Sequence, residues 1–260
     1  FKATSVGYKN AGYFIMASGD DHVFIDNAPV GYAGRGGHGH NDCLSFEAVI
    51  QGSPIITDSG SFVYTADYKK RNEFRGTLAH NTPFIDGKEQ NSFISNKELF
   101  SLKYEAIPTL HAWQVNDEKD TFCGSHSGYK FLENPVIPHR KIILEKTEHR
   151  LLINDNFQGV GLHSVIIPYR FDPACSLTEI KVGHWLIKTK DNEFDFVYTK
   201  SSSWDVRKFS AHISESYGVI RQNSVLEFSR NDTLEPLTVG IYPRSRRPKD
   251  IESWLRSSIL

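Results

Sequence analysis

The chain has 260 residues, 39% of them hydrophobic, and a formal net charge of −1. This length is enough for one large domain or two small ones, and the hydrophobic share is enough for a packed core. No apolar run approaches the roughly 18 residues of a membrane-spanning helix. The near-neutral charge argues against a generally basic nucleic-acid-binding protein. We therefore expect no membrane span and no nucleic-acid partner.

The predicted elements are short strands separated by turn residues. The apolar segments 12–17 and 22–26 flank a turn rich in Ser, Gly and Asp, which predicts a hairpin. A glycine-rich loop follows, and the apolar residues 44–50 predict the next strand. Helices are predicted only over 67–74 and 248–256. Further strands are predicted over 79–86, 99–106, 111–115, 140–144, 150–154, 164–171, 185–189, 194–198, 206–213, 225–228 and 237–242.

Many short strands with closely spaced turns are typical of an all-β sandwich or barrel. We expect fewer than about 15% helical residues, well below the average for globular proteins. The chain has no internal repeat, low-complexity tract or linker, which predicts a single domain over residues 1–260. It begins at Phe1 and not at methionine, so we expect it to be a processed or excised piece of a longer protein. Its three cysteines give no disulfide framework.

The glycine-rich loop carries two histidines, His38 and His40, separated by one residue. Glycine allows a loop to turn tightly and to approach a ligand closely. An ordinary turn with two solvated imidazoles is the alternative explanation for such a short motif. The glycines that precede the histidines are Gly31, Gly34, Gly36 and Gly37.

Two later segments supply further polar groups at strand ends. Asp58 follows the apolar residues 54–57, and His80 stands at the start of another predicted strand. Two imidazoles and one carboxylate, with room for a water molecule, form a suitable ligand shell for Zn²⁺. Residue types alone also allow a hydrogen-bonded His–Asp–His cluster without a metal.

These segments together resemble the C-terminal domain of the heparinase II/III-like polysaccharide lyases. The matching pieces are Gly37 to Phe46, Asp58 to Gly60, Arg75, and Ala79 to Thr82. With weaker matches downstream, the resemblance extends from about Gly12 to Pro243. It implies a large antiparallel β-sandwich, which in full-length relatives follows a helical toroid that has no counterpart in this chain.

The resemblance also implies a function. Such lyases cleave the bond to O4 of a uronic acid by β-elimination, with part of their catalytic groups in the helical domain. By resemblance, His38 is the catalytic residue of the sandwich domain. The resemblance also implies that His40, Asp58 and His80 hold Zn²⁺ or another divalent cation that organises the loop. The expected partners are an acidic polysaccharide, with glycosaminoglycans and alginate both open, and the missing helical domain; the expected location is the periplasm or the exterior.

Four further residues are candidates for the chemistry. Tyr64 is a candidate phenolic proton donor, although a packing role is an equal alternative. Arg75 is a candidate partner for the uronate carboxylate, because its planar fork matches a carboxylate. Arg71 belongs to a basic segment, 69–75, that would attract an anionic chain, although a solvated helix face is an equal alternative. His126 is predicted to face the substrate groove.

Two other classes of protein need to be weighed. A cupin places a glutamate four or five residues after its second histidine, whereas Glu47 is the first glutamate after His40, so that motif fails. A non-catalytic carbohydrate-binding sandwich, or an accessory protein of polysaccharide export, remains the alternative. Because the helical partner is missing, we expect the isolated chain to be inactive.

Overall fold

The computed structural model describes residues 4–32, 35, 38–199 and 203–258. The chain is 53% strand and 8% helix, in three antiparallel sheets. The prediction of an all-β sandwich with little helix is therefore confirmed. Gly34, Gly36 and Gly37 of the glycine-rich loop lie outside the described residues. Within those residues, neither helix has the length and apolarity needed to cross a bilayer.

The first sheet is a five-stranded meander in which each strand pairs with the next along the chain. The predicted hairpin is its second and third strands, which pair in antiparallel register through the turn at Gly19 and Asp20. The five strands are β1 (Val6–Tyr8), β2 (Tyr13–Ser18), β3 (Asp21–Asp26), β4 (Phe46–Ile50) and β5 (Ser53–Ile56).

The other two sheets use the rest of the chain. The four-stranded sheet has the order β15-β16-β11-β6, with β6 (Phe84–Ile85), β11 (Leu162–Arg170), β15 (Asp205–Ser216) and β16 (Val219–Thr233). The eight-stranded sheet has the order β12-β13-β14-β17-β10-β9-β8-β7. Its strands are β7 (Pro108–Val115), β8 (Lys119–His126), β9 (Val136–Glu145), β10 (Arg150–Gly159), β12 (Ser176–Lys181), β13 (His184–Lys188), β14 (Glu193–Tyr198) and β17 (Leu237–Pro243).

The main core lies between the eight-stranded sheet and the two smaller sheets. Phe14 of β2 contacts Phe122 of β8, with ring centroids 5.1 Å apart. Tyr169 of β11 contacts Phe196 of β14 at 5.5 Å. Alternating side chains on these strands therefore face a shared apolar layer, which is the period-two pattern expected of a sandwich.

The eight-stranded sheet is also covered on its other face. Helix α2 (Ile251–Arg256) packs Trp254 and Leu255 there, against a small apolar cluster that includes Tyr242. At Gly240 an added Cβ would lie 2.3 Å from the Trp254 ring, so this contact requires glycine. Because both faces are covered, every residue of β17 is buried.

The segment between β5 and β6 departs from regular sheet. Helix α1 (Tyr68–Arg75), close to the predicted 67–74, is followed by a 3₁₀ turn (Thr77–Ala79). The predicted strand over 99–106 is wrong, since this stretch forms only isolated bridges. The side-chain oxygen of Asn91 accepts hydrogen bonds from the backbone N–H groups of Glu105 and Ala106, so these donors are satisfied without a partner strand.

A buried ion pair connects the eight-stranded sheet to the loops above it. Arg140 of β9 and Asp155 of β10 are fully buried and joined by two hydrogen bonds of 2.7 and 2.9 Å. The remaining guanidinium nitrogen of Arg140 donates to the carbonyl oxygens of Leu44 and Asn81. One arginine thus ties two loop segments to the core.

Candidate metal centre and adjoining site

The loop that carries the two histidines connects β3 to β4 and is held in place by Asn41. The backbone N–H of Asn41 donates to the carbonyl oxygen of Arg75 at 2.9 Å. Its buried side chain donates to Glu89 and to the carbonyl oxygen of Asn91. These contacts fix the loop against the end of α1, so His38 and His40 have defined positions on either side of Gly39.

The Asp58–Gly60 turn follows β5 and is clamped by the hairpin of β15 and β16. Gly60 has φ +72°, and an added Cβ would lie 2.0 Å from the carbonyl oxygen of Ser214, so only glycine fits. Two hydrogen bonds of 2.8 Å extend the clamp, one from Ser214 N–H to the carbonyl of Ser59 and one from Gly218 N–H to the carbonyl of Phe62. The turn that carries Asp58 is therefore set by strands far along the chain.

The third segment of the site is helix α1 with the 3₁₀ turn and His80 that follow it. The side chain of Asp67 caps the helix by accepting hydrogen bonds from the N–H groups of Lys69 and Lys70. The buried face of α1 carries Arg71, Phe74 and Arg75. The 3₁₀ turn after it delivers His80, which is fully buried.

These three segments bring a histidine–carboxylate cluster together. Ligand atoms of His40, Asp42 and His80 lie within 4.8 Å of one another. Asp58 adjoins them, because His80 Nδ1 donates to its Oδ2 at 2.5 Å. The other ring nitrogen of His80, Nε2, is buried and has no hydrogen-bond partner among the described residues.

The pKa values of His40 and Asp58 favour the forms that bind a cation. Burial, with His80 and two arginines nearby, lowers the pKa of His40 to about 3, so its ring is neutral near pH 7. Burial would lower the pKa of His80, but the adjacent Asp58 carboxylate raises it. Desolvation raises the pKa of Asp58. The charge of His80 and its hydrogen bond lower that pKa by more, so the pKa of Asp58 lies well below its usual value. Burial raises the pKa of Asp42.

More carboxylates surround the cluster. Asp26, Asp42, Glu47 and Asp58 line a cavity of about 150 Å³. Burial and neighbouring carboxylates raise the pKa of Asp26 and of Glu47. A cation would relieve this crowding of negative charge.

The residues therefore fit a divalent metal ion. His80 offers an unpartnered buried nitrogen, and the histidine–carboxylate set is one that Zn²⁺ accepts. A carboxylate on the opposite ring nitrogen, as Asp58 provides, is a common way to orient a ligating histidine. Arg71 Nη1 donates to His40 Nε2 at 2.7 Å. An ion ligated by His40 must therefore use Nδ1 or displace that guanidinium.

A second group of side chains lies at the exposed edge of the cluster. A hydrogen bond of 2.8 Å joins His38 Nδ1 to the hydroxyl of Tyr64. The Tyr64 ring is stacked near Phe100 and Tyr217, and the guanidinium of Arg71 lies 4.9 Å from its centroid. Beside this pair, a cavity of about 320 Å³ is lined by His38, His40 and neighbouring residues.

The three residues predicted to bind substrate are buried. Arg71 and Arg75 are 0% and 1% exposed, and the guanidinium of Arg75 donates to the carbonyl oxygens of Glu98 and Ser101. His126 is 1% exposed; its Nδ1 accepts from the N–H of Gly128, and burial lowers its pKa to about 3. Their contacts with a substrate stay a prediction.

Two members of the site were not assigned from the sequence. Asp42 stands inside the histidine motif, two residues after His40, and that spacing was the available signal. Tyr217 stands in the turn between β15 and β16. Its position beside Tyr64 arises from the fold of the β15–β16 hairpin and has no local signal.

Known proteins share this fold. The model of the family described as "Heparinase II/III-like, C-terminal" matches residues 2–235. A heparinase III superimposes with a TM-score of 0.75 at 20% identity, covering 94% of this chain and 36% of that one. The heparan sulfate lyase HepC from Pedobacter heparinus does so with a TM-score of 0.75 at 18% identity, covering 94% and 37%. No curated protein matches the sequence significantly.

The fold and the histidine cluster define a β-sandwich with a candidate metal centre at the edge of its sheets. The chain belongs to the heparinase II/III-like family, in which it corresponds to the C-terminal domain. It spans only about 36 to 37% of the length of the two enzymes named above.

Proposed function

We propose that this chain is the β-sandwich domain of a polysaccharide lyase that cleaves uronic-acid-containing chains by β-elimination. The observation that carries the proposal is the exposed His38–Tyr64 pair, hydrogen-bonded at 2.8 Å beside a cavity large enough for a sugar. We also propose that the chain folds as one domain, and that the protein acts in the periplasm or outside the cell.

The elimination needs one base and one acid on neighbouring atoms of the substrate. The base takes the proton on C5, the electrons of that bond form the C4–C5 double bond, and the C4–O4 bond breaks. The acid then protonates the departing O4. His38 and Tyr64 are the candidate base and acid, because their polar atoms lie within one hydrogen bond of each other.

Arg71 and Arg75 are proposed to position other residues of the site. Arg71 donates to His40 and lies against the ring of Tyr64, so it fixes the spacing between the cluster and the catalytic pair. Arg75 cross-links its own loop through carbonyl oxygens. A substrate carboxylate that binds either guanidinium must first displace these contacts, which favours a positioning role.

The elimination itself tests the function, since it leaves a conjugated double bond that absorbs ultraviolet light. We expect absorbance to grow when the longer protein that contains this chain is mixed with heparan sulfate, alginate or another uronate polymer. The present chain alone should give no growth. Steady growth with the chain alone, abolished by His38→Ala, would contradict the proposal that a helical domain supplies further catalytic groups. Binding without elimination by the longer protein would favour the carbohydrate-binding alternative.

We further propose that the cluster holds Zn²⁺ or a similar divalent cation through His40 and His80, with Asp58 and Asp42 supplying carboxylate oxygens. Such an ion would tie three chain segments together and organise the loop. Saturating zinc at about 100 times Kd contributes about 2.7 kcal/mol to the free energy of unfolding. For a chain of this size we expect the melting temperature to rise by about 5 °C or more.

Matched variants separate the ligands. His80→Ala should remove the zinc-dependent rise, whereas His184→Ala, which removes a His–Asp pair in another sheet, should keep it. Asp42→Asn and Asp58→Asn should each reduce it. A full rise in Asp58→Asn would leave Asp42 as the carboxylate ligand, with Asp58 orienting His80. Wild type without bound zinc and without any rise would contradict the metal site.

A further inference from the structure

A second pocket lies between α1, the 3₁₀ turn and strand β15, and it adjoins the candidate metal centre through Ser59 and Ala79. Its volume is about 310 Å³, within the range of small-molecule sites. Phe74, Leu78 and Phe209 give it apolar walls. Ser210 and His212, both exposed residues of β15, line its polar side.

The pocket is also lined by Arg170, a buried arginine at the end of β11. Arg170 is 9% exposed, and one of its terminal nitrogens donates to the carbonyl oxygen of Leu78 at 2.7 Å. Its Nε has no hydrogen-bond partner among the described residues. No carboxylate of the described chain lies within ion-pair distance of its guanidinium, in contrast to Arg140 with Asp155.

The carboxylates that act on Arg170 from farther away are already engaged. These are Asp58, Glu227 and Glu73. Asp58 accepts from His80, Glu227 from Arg207 and Glu73 from Lys70, at 2.5 to 2.7 Å. Burial lowers the pKa of Arg170, as expected for a cation whose charge is incompletely compensated. A buried cation without a close counter-ion is costly, so the pocket favours an anion.

We propose that this pocket binds the oxyanion of an acidic sugar, either a carboxylate or a sulfate ester, through Arg170. The guanidinium offers a planar set of donors that matches both kinds of oxyanion. The apolar side chains suit the C–H face of a pyranose ring. Glu73, the one carboxylate that lines the pocket, is paired at its exposed end with Lys70 and does not leave a net negative charge there. The oxyanion site rests on the geometry alone, whereas its assignment to an acidic sugar rests on the proposed function.

Calorimetric titration of the present chain tests the pocket without any cleavage. The ligands are D-glucuronate, inorganic sulfate and, as the neutral control, D-glucose. Glucuronate should bind with a Kd of about 1 mM, an ordinary efficiency for a ligand of this size, and glucose should not bind. The ring signals of His212 should move during the titration, which places the ligand in this pocket.

Two substitutions test the pocket independently, one by removing the guanidinium and one by filling the space. Arg170→Met should weaken glucuronate binding at least tenfold, and Ala211→Phe should do the same by filling the pocket while the guanidinium stays. Arg221→Met removes an exposed arginine that pairs with Glu215, and should bind like wild type. Circular dichroism confirms that each variant is folded.

Each outcome decides a distinct claim. Absence of both glucuronate and sulfate binding, or wild-type affinity in both Arg170→Met and Ala211→Phe, overturns the pocket. Sulfate binding without glucuronate binding overturns the sugar assignment. If the longer protein shows no elimination while the present chain binds glucuronate, the lyase proposal is overturned and the pocket proposal stands.

Discussion

Replacement of His38 by alanine should lower kcat of the longer protein on a uronate polymer by roughly 10²-fold or more. A positioned acid–base group typically contributes 10² to 10⁴ in rate, and the His38 ring lies at the exposed edge of the site with its Nδ1 on the hydroxyl of Tyr64. The rate of double-bond formation under saturating substrate measures the effect. KM should change little, because the ring is proposed to act on a proton and not to hold the chain.

Two comparisons make this result specific. His111 is also exposed but lies on β7 and bonds to Ser125, so His111→Ala should keep kcat. Tyr64→Phe retains the ring beside Phe100 and Tyr217 but loses the hydroxyl, and should lower kcat by roughly 10²-fold or more, because Tyr64 is proposed as the other acid–base group. Unchanged kcat in His38→Ala would remove this residue from the mechanism.

Replacement of Asp155 by alanine should reduce the free energy of unfolding by about 3 to 5 kcal/mol. Both members of the Arg140–Asp155 pair are fully buried, so the substitution leaves a guanidinium without a counter-ion inside the core. Urea denaturation with linear extrapolation measures the loss. Because Arg140 also holds Leu44 and Asn81, the loops around the site should loosen as well.

The matched control breaks an exposed pair of the same kind. Glu215→Ala separates Glu215 from Arg221, both about half exposed, and should cost no more than about 1 kcal/mol. The double variant Arg140→Met with Asp155→Leu should recover part of the stability lost in Asp155→Ala, because no unpaired charge remains. If Asp155→Ala reduces the free energy of unfolding by less than about 1 kcal/mol, another group must compensate the charge of the Arg140 guanidinium.

The sequence was sufficient for the architecture, because alternation of apolar residues and closely spaced turns are local properties. The hairpin of β2 and β3 and helix α1 fall close to their predicted bounds. The strand expected over 99–106 is absent for a reason that is not local. Asn91, from elsewhere in the chain, accepts from the backbone donors of Glu105 and Ala106 at the end of that stretch.

The site could be predicted only in part. The motifs identified His38, His40, Asp58 and His80, and the fold brings their segments together, although their roles stay predictions. Exposure could not be predicted, since Arg75 stands in a basic and polar stretch yet is buried. Arg170 likewise stands at the end of an ordinary strand, and its lack of a close counter-ion in the described part of the chain depends on how three separate carboxylates are already paired.

The clamp on the Asp58–Gly60 turn has a consequence for biosynthesis. The turn belongs to the first quarter of this chain, but Ser214 and Gly218, which hold it, are translated much later. A ribosome-bound chain that ends before β15 therefore carries His40, Asp58 and His80 without the hairpin that holds the Asp58–Gly60 turn. The centre therefore becomes complete only after β15 and β16 have been translated, so a metal ion would be held by a chain that already contains the whole clamp.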